Sequence, residues 1–157
     1  MPALAAVRRR AAVRFGVGLN LEVPLADDSA TGVFGRLGLS RGGVETLSFA
    51  ESDAAFSVGG QVSGGRWGRS EDAIGVAVGV DLASAAHRAY LAAGGTGLRL
   101  GDGALSYHPE IDSEGYYAFT VAKGFVLSVD LQGIINPAFN RDRGPVVLLA
   151  LRAHVEL

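Results

Sequence analysis

Apolar and polar residues alternate one by one through most of this chain. In RFGVGLNLE, Phe15, Val17, Leu19 and Leu21 share one side, while Arg14, Gly16, Gly18, Asn20 and Glu22 share the other. A period of two marks a strand with two unlike faces. GVFGRLGL repeats it, with Val33, Gly35, Leu37 and Leu39 against Phe34, Arg36 and Gly38. So do IGVAVGVDL (Ile74–Leu82), EGYYAFTVA (Glu114–Ala122), GFVLSVDLQGI (Gly124–Ile134) and the stretch from Val146 to the terminal LRAHVEL. Opposite Ile74, Val76, Val78 and Val80 stand Gly75, Ala77, Gly79 and Asp81, a row very small for a solvent face.

The intervening segments carry turn signals. PLADDSAT holds Pro24 and the Asp27–Asp28 pair, and SRGG (Ser40–Gly43) follows the second strand. From Val44 to Gly64 the phase breaks: Phe56, Val58 and Val62 alternate in one phase, Leu47 and Phe49 in the other. This predicts either one strand bulged near Glu51–Asp53 or two short strands. Gly64–Asp72 reads as a turn region, Lys123–Gly124 as a tight turn and Asn136–Pro145 as a loop. Ser84–Glu110 lacks alternation. Its first part, SAAHRAYLAAGG, predicts a short helix capped by Ser84 and stopped by Gly94, with an ordered loop after it.

The sum is an all-β chain of about seven or eight antiparallel strands. Long connections (Ala83–Asp112, Asn136–Pro145) fall at one end of the sheet and the tight Lys123–Gly124 turn at the other. Outer-membrane barrels are built this way. A turn as long as Gly64–Asp72 fits that scheme less well.

Alternation alone leaves two readings open. In a soluble β domain Leu151, Ala153, Val155 and Leu157 face a core; in a transmembrane barrel they face lipid, and Arg152, His154 and Glu156 face water. Composition leans toward the second. Only 19% of the chain is charged while 48% is hydrophobic, lean for a soluble surface. The 14 cations and 16 anions leave a net charge of −2, without the basic excess of a nucleic-acid binder. Cysteine is absent and the three histidines (His87, His108, His154) lie far apart, so no metal site or cofactor is expected. The longest apolar run, Val146–Leu151, is far short of the ~20 residues of a membrane helix, a test that strands escape. MPALAAVRRR puts its arginines after a short apolar segment, the reverse of a secretory signal.

Several stretches, in order, resemble the C-terminal part of the carbohydrate-selective porins of the OprB type. These are GVGLNLEVPLADD, FGRLGL with VETLSFAESD, GGRWGRSED, AHRAYLAAGG with GDGALSYHPE, EGYYAFTV and NPAFNRDRGPVVLLALRAHVEL. The resemblance runs from about Arg14 onward, and its most specific pieces are the AHRAYLAAGG…GDG and NPAFNRDRGP loops. It implies an antiparallel transmembrane β-barrel of roughly sixteen strands in the outer membrane of a Gram-negative bacterium, passing sugars passively and catalysing nothing. This chain then represents a truncated C-terminal half, 13–157, behind a non-family or misplaced N-terminus, 1–12. An open half-barrel leaves two edges of unpaired backbone groups. Either a second chain or the missing N-terminal half closes it, or it recloses as a smaller barrel, or it is a truncated product that does not function alone; truncation is the favoured reading.

On this reading the residues opposite each apolar row line the channel: Arg14, Asn20, Glu22, Arg36, Gln61, Glu114, Asp130, Gln132, Arg152, His154 and Glu156. Mixed signs suit a neutral solute, because neither dominates the field; the plainer account is that these positions merely keep the wall wet. Tyr90, Tyr107, Tyr116, Tyr117 and Trp67 are candidates either for stacking on sugar or for an interfacial girdle, the latter chiefly Trp67 and the Tyr116–Tyr117 pair. The long loop is a candidate constriction, with His87, Arg88, Asp102 and Tyr107 near the path. Arg141, Asp142 and Arg143 either meet solute at the mouth or pin their loop by local ion pairs. Enzyme motifs are lacking: GGTGLRLGDG has a phosphate loop's glycines without its lysine, and no serine sits in a nucleophile elbow. The competing function class is a soluble small β-barrel or sandwich that binds a ligand.

Overall fold

The computed structural model describes residues 13–26, 31–44, 51–97 and 105–156. They form seven strands: β1 (Gly16–Pro24), β2 (Gly32–Ser40), β3 (Ala54–Gly64), β4 (Arg69–Leu82), β5 (Glu110–Ala122), β6 (Phe125–Ile135) and β7 (Val146–Val155). One helix, α1 (Ala85–Ala92), lies between β4 and β5. The strands make one antiparallel sheet in sequence order, β1 to β7. Each pairs with its chain neighbour, as short-range alternation joined by turns favours. The shortest strands have 9 residues and the longest 14, enough for the ~9–11 of a bilayer crossing.

Register keeps the two faces apart across the whole sheet. Leu19 pairs with Leu37, Leu37 with Phe56, Phe56 with Val80, Val80 with Ile111 and Ile111 with Ile135, an unbroken apolar row. A slip of one residue anywhere would put this row among charges. Among the described residues nothing covers the apolar face: Leu149 is 77% exposed, Leu151 74% and Val17 68%. Among the described residues the buried apolar side chains are Ala83, Leu91 and Phe139, all outside the strands. A soluble barrel or sandwich would bury its apolar rows; this sheet buries none. Leu157 lies outside the described residues.

Connections alternate in length. Those at one end span 25–31, 65–68 and 123–124, and those at the other 41–53, 83–109 and 136–145. The turn expected at Gly64–Asp72 is therefore shorter: β4 starts at Arg69, and a 3-10 turn at Gly65–Trp67 leads straight into it. Ladder pairing of Gly64 with Arg69 overrides the local turn chemistry of GGRWGRSED. Likewise β5 starts at Glu110, earlier than alternation alone marked, because Glu110 and Ile111 pair with Asp81 and Val80. At the tight turn Gly124 has φ +75°, and a Cβ there would meet the Glu156 carbonyl oxygen at 2.5 Å. Only glycine fits.

The expected helix is present. Ser84 caps α1 by accepting the His87 backbone N–H at 3.2 Å, and Gly94 with φ +87° ends it. Of the Val44–Gly64 alternatives, β3 supplies one strand from Ala54; Leu47 and Phe49 lie outside the described residues.

Candidate functional site

The polar face is ordered in rows by the same register. One row runs Glu22, Phe34, Gly59, Ala77, Glu114 and Gln132; the next joins Gln61, Gly75, Tyr116 and Asp130. The glycines that looked too small for a solvent face have a steric reason. A Cβ on Gly75 would lie 2.5 Å from the Tyr116 ring, and one on Gly59 would lie 2.6 Å from the Phe34 ring. Tyr116 thus leans from β5 across β4, and its hydroxyl donates to the Gln61 Oε1 of β3. Phe34 leans from β2 across β3. A groove of about 420 Å³ opens beside them, with Glu22, Gln61 and Glu114 at its polar margins.

Both arginines of the mid-sheet polar face are set against acidic or amide groups. The Arg152 guanidinium bonds to both Glu114 and Asp130, on β5 and β6. Asp130 is fully buried, at 0% exposure, so its charge depends on that guanidinium. Arg36 donates to Asn20 Oδ1 at 3.1 Å, lies 3.7 Å from Glu22, and stacks 4.8 Å above the Phe34 ring centroid. Of the residues expected to line a channel, Glu114, Asp130 and Arg152 are thus one cluster, and Gln61 approaches it through Tyr116. Gln132 lies in the row of Glu114. His154 pairs with Val126 at the turn end, and Glu156 lies past β7, its backbone N–H bonded to the Gly124 carbonyl at 2.8 Å. Near the opposite end, carboxylate oxygens of Asp81, Glu110 and Asp112 come within 4.8 Å of one another. Sequence reading missed this trio, because only the ladder brings Asp81 beside Glu110.

At the long-loop end a second unforeseen residue, Asp53, organises the rim. It is 5% exposed and accepts from Arg14 at 3.2 Å and from the Ser84 backbone N–H at 2.8 Å. His87 Nδ1 sits 3.2 Å from the same carboxylate. His87 is thereby a tether of α1. Arg88 stacks 4.5 Å over Tyr107, and Tyr107 in turn packs near Phe139. Asp102 lies outside the described residues.

Asparagine side chains and backbone groups hold much of the 136–145 loop. Asn136 donates to the Pro109 carbonyl at 2.8 Å, and Glu110 accepts the Ala138 N–H. Asn140 Oδ1 accepts the N–H groups of Ser106 at 3.3 Å and Asp142 at 3.1 Å. Arg141 and Asp142 come no closer than 3.9 Å and both are well exposed, so their pairing adds little.

Adjacent strand residues face opposite ways, which corrects the expectation of a Tyr116–Tyr117 girdle pair. Tyr116 belongs to the polar face. Tyr117 belongs to the apolar one, 6.1 Å from the Trp67 ring and 4.3 Å from that of Phe119. Trp67 Nε1 donates to the Tyr117 hydroxyl, which donates to Asp72, both at 2.8 Å. The aromatic cluster at the short-turn end is Trp67, Tyr117 and Phe119.

Comparison with known proteins agrees with this geometry. The family profile described as "Carbohydrate-selective porin, OprB family" matches residues 2–157. A solved structure titled "High pH structure of Pseudomonas putida OprB" superposes with a TM-score of 0.67 at 17% sequence identity. The match covers 89% of this chain and 34% of that one, so this chain spans about a third of the length of its structural relative. No curated protein sequence matches the chain. With seven antiparallel strands, unlike faces and a family match over nearly its whole length, the chain belongs to the OprB family of carbohydrate-selective porins.

Proposed function

We propose that this chain forms part of the wall of a water-filled outer-membrane barrel that passes neutral sugars down their gradient. The observation that carries this reading is the exposed apolar face of the sheet, from Val17 on β1 to Leu151 on β7, with no apolar layer over it among the described residues. Lipid is the solvent that makes such a face stable. The polar face then borders the lumen, where Arg36, Gln61, Glu114, Gln132 and Arg152 line the path and the buried Asp130 holds the Arg152 guanidinium. Arg36 and Arg152 sit against carboxylates there while Asp81, Glu110 and Asp112 add negative charge, which favours neutral solutes over anions. His87, Arg88 and Tyr107 shape the mouth, and no covalent chemistry is required of any residue.

The open edges at β1 and β7 need partners. Each unpaired N–H or C=O in hydrocarbon costs several kcal/mol. The remaining strands come from the missing part of the barrel, on the same polypeptide or on another. A solute assay on the assembled barrel that carries this chain tests the reading. Proteoliposomes should swell in glucose and more slowly in glucuronate of similar size. Failure to swell in any sugar, or a chain that stays monomeric in buffer without detergent, overturns it.

A further inference from the structure

We infer that Tyr116, laid against the wall over Gly75, is the floor of a subsite for one pyranose ring within the groove, and that Gly75 is the residue that makes this possible. The inference rests on the sugar-passing role proposed above and goes further by assigning a position and a chemistry. A pyranose has a C–H face and a rim of hydroxyls. It needs an aromatic surface with hydrogen-bonding groups at its margin.

The groove supplies both. Its volume is about 420 Å³, and Tyr116, Gln61, Glu114, Ala77 and Phe34 are among its walls. The Tyr116 hydroxyl is bonded to Gln61, which holds the ring down and leaves its other face toward the groove. Glu114 is fixed by Arg152 beside it. Phe34 is placed differently: Arg36 stacks over its ring, so that ring is already covered. Tyr116 is therefore the stacking surface, and Glu114 and Gln61 are the hydroxyl partners.

Gly75 has a distinct role as a positioning residue. A Cβ there would meet Cε1, Cζ and the hydroxyl of Tyr116 at 2.5–2.7 Å, all at the far end of a side chain that can swing away. Gly75→Ala therefore keeps the strand and expels the ring into the lumen. Gly59→Ala is a poorer probe, since its Cβ would also meet the Val76 carbonyl oxygen at 2.7 Å.

The test is glucose-dependent block of ion current through the assembled barrel carrying this chain, with glycerol, which lacks a ring face, as control solute. Tyr116→Ala should weaken glucose block about fivefold, the loss of one stacking contact. Gly75→Ala should weaken it by a similar factor and also lower the open conductance. Gly75→Ala with Tyr116→Ala should match Tyr116→Ala alone in both readouts, which a general folding defect would not do. Glycerol permeation should be the same in wild type and Tyr116→Ala. Unchanged glucose block in Tyr116→Ala, additive effects in the double variant, or sugar flux without any block in the wild type overturns the subsite and leaves the transport reading standing. Absence of sugar flux in the wild type removes both.

Discussion

The Asp53 carboxylate accepts the Ser84 backbone N–H at 2.8 Å, and so ties the segment before β3 to the cap of α1. The same carboxylate takes Arg14 and faces His87, joining three parts of the chain at one buried point. Helix α1 is too short to be stable alone; this anchor keeps it at the rim.

Asp53→Ala should accordingly release α1 before it unfolds the sheet. Leaving the Ser84 N–H without its acceptor costs about 1–3 kcal/mol, while Arg14 keeps Ser40 and the Val44 and Ser52 carbonyls. Hydrogen exchange should show lost protection in residues 85–92 with β4 and β5 unchanged. Unaltered protection of α1 would show that Asp53 is not its anchor.

The two faces of the sheet should respond oppositely to charge. Leu149→Lys places an ammonium on the apolar face near the middle of β7 and should cost about 2–4 kcal/mol of folding free energy in bilayers. Gln132→Lys, on the polar face of β6, should cost less than 1 kcal/mol by the same scale. Equal costs, measured by urea titration in lipid vesicles, would reverse the assignment of lipid and lumen.

Arg152 should matter to both stability and selectivity. Arg152→Met leaves the buried Asp130 carboxylate uncompensated, a loss of about 3 kcal/mol. It also leaves Glu114 unbalanced, so reversal potentials should shift toward cations. Adding Asp130→Asn should recover most of the stability. A double variant no more stable than Arg152→Met would mean that the pair is not the source of the loss.

The loop between β6 and β7 carries three non-glycine residues with positive φ: Asn136 (54°), Ala138 (59°) and Phe139 (61°). Ala138 has no side-chain group to offset this strain. Ala138→Gly should raise stability by about 0.5–1 kcal/mol, and Ala138→Val should lower it. Thermal unfolding in detergent reads the difference, and a less stable glycine variant would contradict the strained geometry.

Much of this architecture is written in local order. Alternation marks which side chains of a strand travel together, so the faces of β1, β2, β4, β6 and β7 follow from the chain itself. Ser84 and Gly94 mark the ends of α1, and Lys123–Gly124 marks the β5–β6 hairpin, because caps and turns depend on residues within a few positions. The family resemblance is likewise carried by contiguous stretches such as NPAFNRDRGP.

What the sequence determined by itself is thus a ribbon with an apolar face and a polar face, its turns and its family. Which residues meet across that ribbon was decided only in three dimensions. Tyr116 and Tyr117 are neighbours in the chain, yet one lies over Gly75 beside Gln61 and the other joins Trp67. Asp53 lies where the sequence marked only a candidate bulge, and becomes a hub because its partners arrive from just before β1 and from the segment after β4. The start of β4 at Arg69 contradicts its local turn signals because the ladder with β3 continues to Gly64. The reason is common to all three: local pattern sets the direction of a side chain, whereas register between strands sets its neighbours, and register is a property of the assembled sheet.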